Sequence, residues 1–274
     1  MNSSTVRVII VLLLLVIVYL PVLKDLVFDW YVDSNYSHGF LVIPIAAYLL
    51  YRDSKKFEKT RCVRWPGAVL LIAGLVLLIL GSAAAEFFTA RFSFVVCLTG
   101  IGIFSLGWHN FRKSWFSFFF LLFMIPIPAI FYYSATMPMQ LFSSNLANQA
   151  INAVGIESVR AGNIINLPNY RLEVIEACSG LRSLITLMAL GALYAKLSLD
   201  GFWRPFFLVL ATIPIAIAAN VFRIFVTGFG AHYISPKLAD EFLHEVSGIL
   251  VFLSALLMIV IFGKLIGWKR KRSF

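Results

Sequence analysis

Charged side chains are scarce in this sequence. Asp, Glu, Lys and Arg make up 13% of its 274 residues, against about a quarter in soluble domains. No polar stretch is long enough to fold as a separate soluble domain with a function of its own. Cysteine is equally scarce. Cys62, Cys97 and Cys178 show no CxxC spacing and no even framework, which argues against a disulfide scaffold and a thiolate metal cluster. His38, His232 and His244 are not ordered by any HxxxH or HxxE spacing, so neither a metal nor a cofactor is expected. Internal repeats and low-complexity segments are also lacking.

What is abundant is apolar: 61% of the residues are hydrophobic and 26 are Phe. This is the composition of an all-α polytopic membrane protein, read as one integral domain over residues 1–274. The net charge of +10 does not point to nucleic acid, because the bases sit in short loops between apolar runs, the pattern of membrane topology. A helical span needs about 20 apolar residues. Eight are predicted, at about 6–23, 38–51, 66–85, 92–108, 115–135, 180–196, 205–228 and 244–265. The first has Arg7 near its start, as a signal peptide would. No small-x-small cleavage site follows and the chain runs on into "PVLKDLVFDWY", so it reads as a retained span.

Charge orients the spans. With both termini on one side, the opposite side holds Lys24, Arg91, Arg160, Arg171 and Lys237. Arg182 and Arg223 fall inside spans, and the other sixteen of the 23 bases lie on the side of the termini. The positive-inside rule therefore predicts cytoplasmic termini. One external loop, about residues 136–179, is long. Its first part, "MPMQLFSSNLANQAINAVGI", has the spacing of an amphipathic surface helix. Its second part alternates apolar residues around a Pro-Asn turn, as a small β-hairpin or paired extended segments would.

This topology brings three chemically distinctive residues to the outer edge. Cys178 precedes the sixth span, in "EACSGLRSL". Arg223 lies about five residues before the outer end of the seventh, roughly 7–8 Å deep. His244 opens the eighth. A thiol at a helix N-terminus, beside Arg or His⁺, has a lowered pKa and is a competent nucleophile. A histidine exchanges protons near neutral pH. A membrane arginine faces a wet cavity or the bundle interior, where it can bind an oxyanion. Asn220, Arg223 and Thr227 share one helical face, as do Cys178, Arg182 and Thr186. A lone membrane cysteine is more often an inert packing residue, and that reading holds for Cys62 and Cys97. Arg182 either binds substrate or has a structural role, snorkelling outward or pairing with Glu176. His38, in "NYSHG", either joins the site or anchors the interface.

These motifs resemble the exosortase/archaeosortase family of bacterial and archaeal membrane proteins. The resemblance rests on "EACSGLRSL", "ANVFRI" and "FLHEVSGILVF", with "DSNYSHGFLVIPIAAYLL" matching the N-terminal half. It implies a catalytic set of Cys178, Arg223 and His244, with Arg182, Asn220 and His38 as candidate substrate-binding residues. It implies a cysteine peptidase or transpeptidase of a bacterial inner membrane, its site facing the exterior. The implied substrates are membrane-tethered proteins with C-terminal sorting tails: a Pro-Glu-Pro-like motif, a transmembrane helix and a basic tail. A tie to exopolysaccharide production follows from the same resemblance. The sequence leaves open two other readings, a transporter or scaffold of polysaccharide assembly and a thiol-dependent membrane acyltransferase. The first would place its polar groups at mid-membrane in repeated halves.

Overall fold

The structure, a computed structural model, describes residues 3–58, 63–174, 181–235 and 242–267, with the side chains of 3–5, 181–183 and 242–247 left out. Chain contacts divide it into two units, Met1–Pro128 and Ala129–Phe274.

The first unit begins with two helices, α1 (Ser3–Val18) and α2 (Leu20–Val32), bent by 71° at their junction. The first predicted span, 6–23, is therefore not one straight helix. Pro21 sits in the first turn of α2. It has no N–H to donate and its ring crowds the carbonyl four residues back, so the helix cannot continue through it. Tyr19, at the junction, is wholly buried. Its hydroxyl is 2.8 Å from Ser93 Oγ and 3.3 Å from Cys97 Sγ, which fixes the bend to α5.

The next helices are α3 (Gly39–Ser54), α4 (Trp65–Ala83) and α5 (Phe87–Phe120). Glu86 caps α5 by accepting from the backbone N–H groups of Phe88 and Thr89. Glycines at 67, 74 and 81, seven apart on one face of α4, meet the backbone of α5 directly or across Cys97. Small residues at this spacing let two membrane helices approach closely. Cys97, wholly buried in this seam, is a packing residue.

Inside α5, Gly107 adopts φ 76° and ψ 156°, a region essentially reserved for glycine. The helix doubles back there, and Gly102 packs on the Phe118 ring of the returning arm. The sequence predicts a short loop at about 109–114 between two spans; instead the helix resumes directly after one glycine. A polar clasp holds this turn to Glu58 in the first part of the α3–α4 connection. Glu58 lies 2.6 Å from Lys113 Nζ and 3.1 Å from His109 Nε2, and its backbone exchanges two hydrogen bonds with the Asn110 amide. Lys113, then His109, hold the Glu58 carboxyl below the usual glutamate range. A Gly107→Ala substitution is expected to lower stability by about 1–3 kcal/mol, the cost of a forbidden backbone conformation. A thermal melt of the detergent-solubilised protein reads this out, and an unchanged melting temperature would contradict the hairpin.

After α5 a 3₁₀ turn, Leu121–Met124, ends at Ile125, and α6 begins at Ala129. The predicted span 115–135 is therefore broken. Pro126 and Pro128 each remove a backbone donor. The carbonyls left at the turn are taken by side chains: Trp30 Nε1 donates to Met124 O at 2.8 Å, and His38 Nε2 lies 3.0 Å from Phe123 O.

The second unit opens with α6 (Ala129–Ala153) and continues into three short strands, β1 (Val159–Ala161), β2 (Ile164–Leu167) and β3 (Tyr170–Glu173). They form an antiparallel sheet in the order β1-β2-β3, with Ile165 opposite Leu172. Three long helices follow: α7 (Leu181–Ser198), α8 (Trp203–Tyr233) and α9 (Phe242–Gly267). Ile165, Leu172 and Val174 share a buried cluster with Ile151 of α6 and Ile224 of α8. A second cluster, including Leu187, Leu208, Ala219 and Ile259, joins α7, α8 and α9.

Among the described residues, four helices are long and apolar enough to cross a membrane, or five if the bent α1–α2 pair is one span. That is a polytopic all-α membrane protein with fewer such helices than the eight predicted. The hairpin of α5 runs into the 3₁₀ turn and counts once, the apolar part of α7 is short, and α3 has 16 residues.

Candidate functional site

The described part of the site is built on α8. Asn220, Arg223 and Thr227 follow one another at i, i+3 and i+7, the spacing of one helical face. Asn220 is 4% exposed and Thr227 5%. The Thr227 hydroxyl donates to the Arg223 carbonyl at 2.9 Å, so it serves its own helix. Asn220 differs: its Nδ2 is buried without a hydrogen-bond partner among the described residues. A buried amide donor left unmatched costs roughly 1–3 kcal/mol, and such a cost is tolerated where a group is kept ready for a ligand or a water.

Asn220 and Arg223 line a small cavity with Leu187 of α7 and Gly248 and Phe252 of α9. It offers about 10 Å³ to the centre of a water molecule, room for about one. Three helices thus meet at this point. The guanidinium of Arg223 lies flat against Gly248: a Cβ there would sit 3.4 Å from Nη2, 3.6 Å from Cζ and 3.8 Å from Nη1. A Cβ at 248 would therefore sit in van der Waals contact with the guanidinium face, and a side chain extending beyond it would crowd the arginine. Sequence reasoning missed Gly248. Its signal was a glycine within the apolar run of "EVSGILVF", one helical turn after His244.

The remaining predicted residues stand as follows. Cys178 lies outside the described residues, between Val174 and the start of α7 at Leu181. Arg182 and His244 are placed only as helical positions, the second residue of α7 and the third of α9, with their side chains outside the description. His244 is one turn before Gly248, the α9 residue against which Arg223 rests. Thr186, one turn after Arg182, is half-buried. His38 belongs to the first unit, at the N-terminus of α3, where its ring meets the Phe123 carbonyl. That contact is a structural use for the ring within its own unit.

Two comparisons find no relative: no curated protein and no solved structure matches this chain. A family model described as transmembrane exosortase (Exosortase_EpsH) matches residues 30–261, most of the chain.

Proposed function

The chain belongs to the transmembrane exosortase family, and on that premise we propose that it is a membrane-embedded cysteine peptidase or transpeptidase acting on C-terminal sorting tails. Membership supports a membrane transpeptidase-like role in general; the substrate, the site and the topology below are our reading. The observation that carries it is the junction of α7, α8 and α9 around Arg223. A guanidinium seated on Gly248 stands one helical turn from the position of His244. Cys178 is four residues beyond Val174, whose side chain shares a cluster with Ile224, the neighbour of Arg223. The part of Cys178 in this site is our reading of the sequence.

The substrate's transmembrane helix docks beside these helices, with its scissile peptide at the outer interface of a bacterial inner membrane. The Cys178 thiolate attacks the peptide carbonyl and forms a carbon–sulfur bond. The carbonyl electrons move to the oxygen, which Arg223 stabilises. Collapse breaks the carbon–nitrogen bond, and His244 gives its proton to the departing amine. The product is an acyl-thioester, resolved by water or by an external amine or hydroxyl, which regenerates the thiol. The basic tail of the substrate stays on the cytoplasmic side, as the chain's own bases do. Asn220, with its unmatched donor, and Arg182 are the further substrate-binding candidates on this unit. A place in exopolysaccharide production is part of the same reading.

Co-expression with a tagged protein carrying a Pro-Glu-Pro motif, a transmembrane helix and a basic tail tests this. The tagged protein is expected to shift to a smaller size, and a version lacking the motif to stay whole. A full-length substrate in the presence of folded enzyme would contradict the proposal.

A further inference from the structure

The first unit contains an apolar groove that the chemistry above does not use. It opens between α1, α3 and the two arms of α5 and has a volume of about 330 Å³. Ile43, Ala47, Leu98 and Leu121 wall its apolar length, and Val8, Leu50 and Leu106 also line it. The latter three share an end with bases. Arg7 precedes Val8, Arg52 follows Leu50 by two residues, and Lys113 lies one helical turn before Ser117 on the returning arm of α5. Arg52 Nε is buried with no hydrogen-bond partner among the described residues. Two acids lie at this end: Asp53, 3.5 Å from Arg52 and 3.9 Å from Lys56, and Glu58, which pairs with Lys113. Arg7, Arg52, Lys55, Lys56 and Lys113 outnumber them, so the end stays positive.

Ser105 and Ser117 are the polar residues of the lining. Ser117 is 3% exposed, and its Oγ has no partner among the described residues. This is unusual within the hairpin: Ser93, Thr99 and Ser114 each donate to a carbonyl three or four residues back. A hydroxyl in hydrocarbon is costly unless something accepts from it. From Lys113 to Ser117 the helix rises about 6 Å. Cations, then a hydroxyl donor, then apolar wall: this is the order of a glycerophospholipid from phosphate to ester to chain.

We propose that this groove binds one anionic glycerophospholipid, its acyl chain along the apolar wall, its ester carbonyl accepting from Ser117 and its phosphate paired with Arg52 and Arg7. A docked apolar helix is the poorer fit, because its backbone carbonyls are taken within the helix and it offers the Ser117 hydroxyl no acceptor. Charge decides the headgroup, since a cationic mouth with an unmatched guanidinium N–H favours a phosphate without a compensating amine. The proposal does not depend on the peptidase reading.

The test uses the full chain purified in detergent and equilibrated with equal amounts of phosphatidylglycerol and phosphatidylcholine, with the retained lipid measured by mass spectrometry. Wild type is expected to retain about thirtyfold more phosphatidylglycerol, the effect of two cations near a lipid phosphate. Ala47→Phe, which fills the groove from an exposed position, should release the lipid, while Leu41→Phe on the same helix but outside the groove lining should not. Arg52→Gln should keep the chain site and lose the headgroup preference. Equal retention of the two lipids by wild type, an unchanged preference in Arg52→Gln, or undiminished retention in Ala47→Phe would each overturn the proposal.

Discussion

A Cys178→Ala enzyme is expected to leave a tagged sorting-tail substrate at full length, with processing reduced at least about 10³-fold, the scale lost when a covalent nucleophile is removed. The reason is that no other group in the reading can take the acyl chain. Arg223 is permanently charged and His244 is the proton carrier. Alanine removes only the sulfur, so the protein should still reach the membrane in normal amount. Cys178→Ser is the sharper variant. It keeps a nucleophilic atom of similar size, but a hydroxyl has no comparable fraction ionised near neutral pH, whereas a thiol near a helix N-terminus does. Serine is therefore expected to fail nearly as completely as alanine. Normal processing by Cys178→Ala, measured as substrate size in membranes with equal enzyme levels, would remove the thiol from the mechanism.

The second large effect is expected at Arg223. Arg223→Ala should lower the rate about 10²–10³-fold, the range for loss of an oxyanion donor, chiefly in kcat because the charge it meets develops only in the transition state. Arg223→Lys should recover little. The guanidinium rests flat on Gly248, with Nη2, Cζ and Nη1 all within 3.4–3.8 Å of a Cβ position there. A lysine ammonium is a point charge without that planar fork. The measurement is kcat and KM on a purified tailed substrate. Full activity in Arg223→Lys would mean that charge alone matters and that the seating on Gly248 does not. An Arg223→Ala effect confined to KM would make Arg223 a docking group.

Much of the fold was legible because membrane helices announce themselves. Long apolar runs bounded by bases leave few alternatives, and α4, α8 and α9 lie where hydropathy puts them. The breaks were harder to read. "IPIP" at residues 125–128 carries two prolines, yet the apolar run around it favoured an unbroken span; proline chemistry, not hydropathy, decides there. Pro21 acts in the same way at Tyr19, where the hydroxyl contact with Ser93 is a long-range fact that no local pattern carries. The hairpin at Gly107 turns on one residue with a positive φ; the polar "HNFRK" after it marked the break between two spans, but not that a single glycine makes the whole turn.

The candidate site divides in the same manner. The residue types at 178, 223 and 244 could be read, because reactive side chains are rare in apolar runs, and 223 and 244 fall on helices as expected. The seat of Arg223 on Gly248, the buried amide of Asn220 and the Leu187 wall could not, since each is a contact between helices far apart in sequence. His38 shows the converse. Its place at a helix start was legible, while its contact with the Phe123 carbonyl needed the 3₁₀ turn that the broken span creates.

The central claim is an acyl-thioester on Cys178, and trapping it is the most direct test. Purified enzyme and a tailed substrate are incubated with and without hydroxylamine, which intercepts thioesters, and the new C-terminus is read by mass spectrometry. The account predicts a C-terminal hydroxamate with wild type in the presence of hydroxylamine and no cleaved product with Cys178→Ala. A C-terminal carboxylate that is indifferent to hydroxylamine, or a hydroxamate formed by Cys178→Ala, would contradict it.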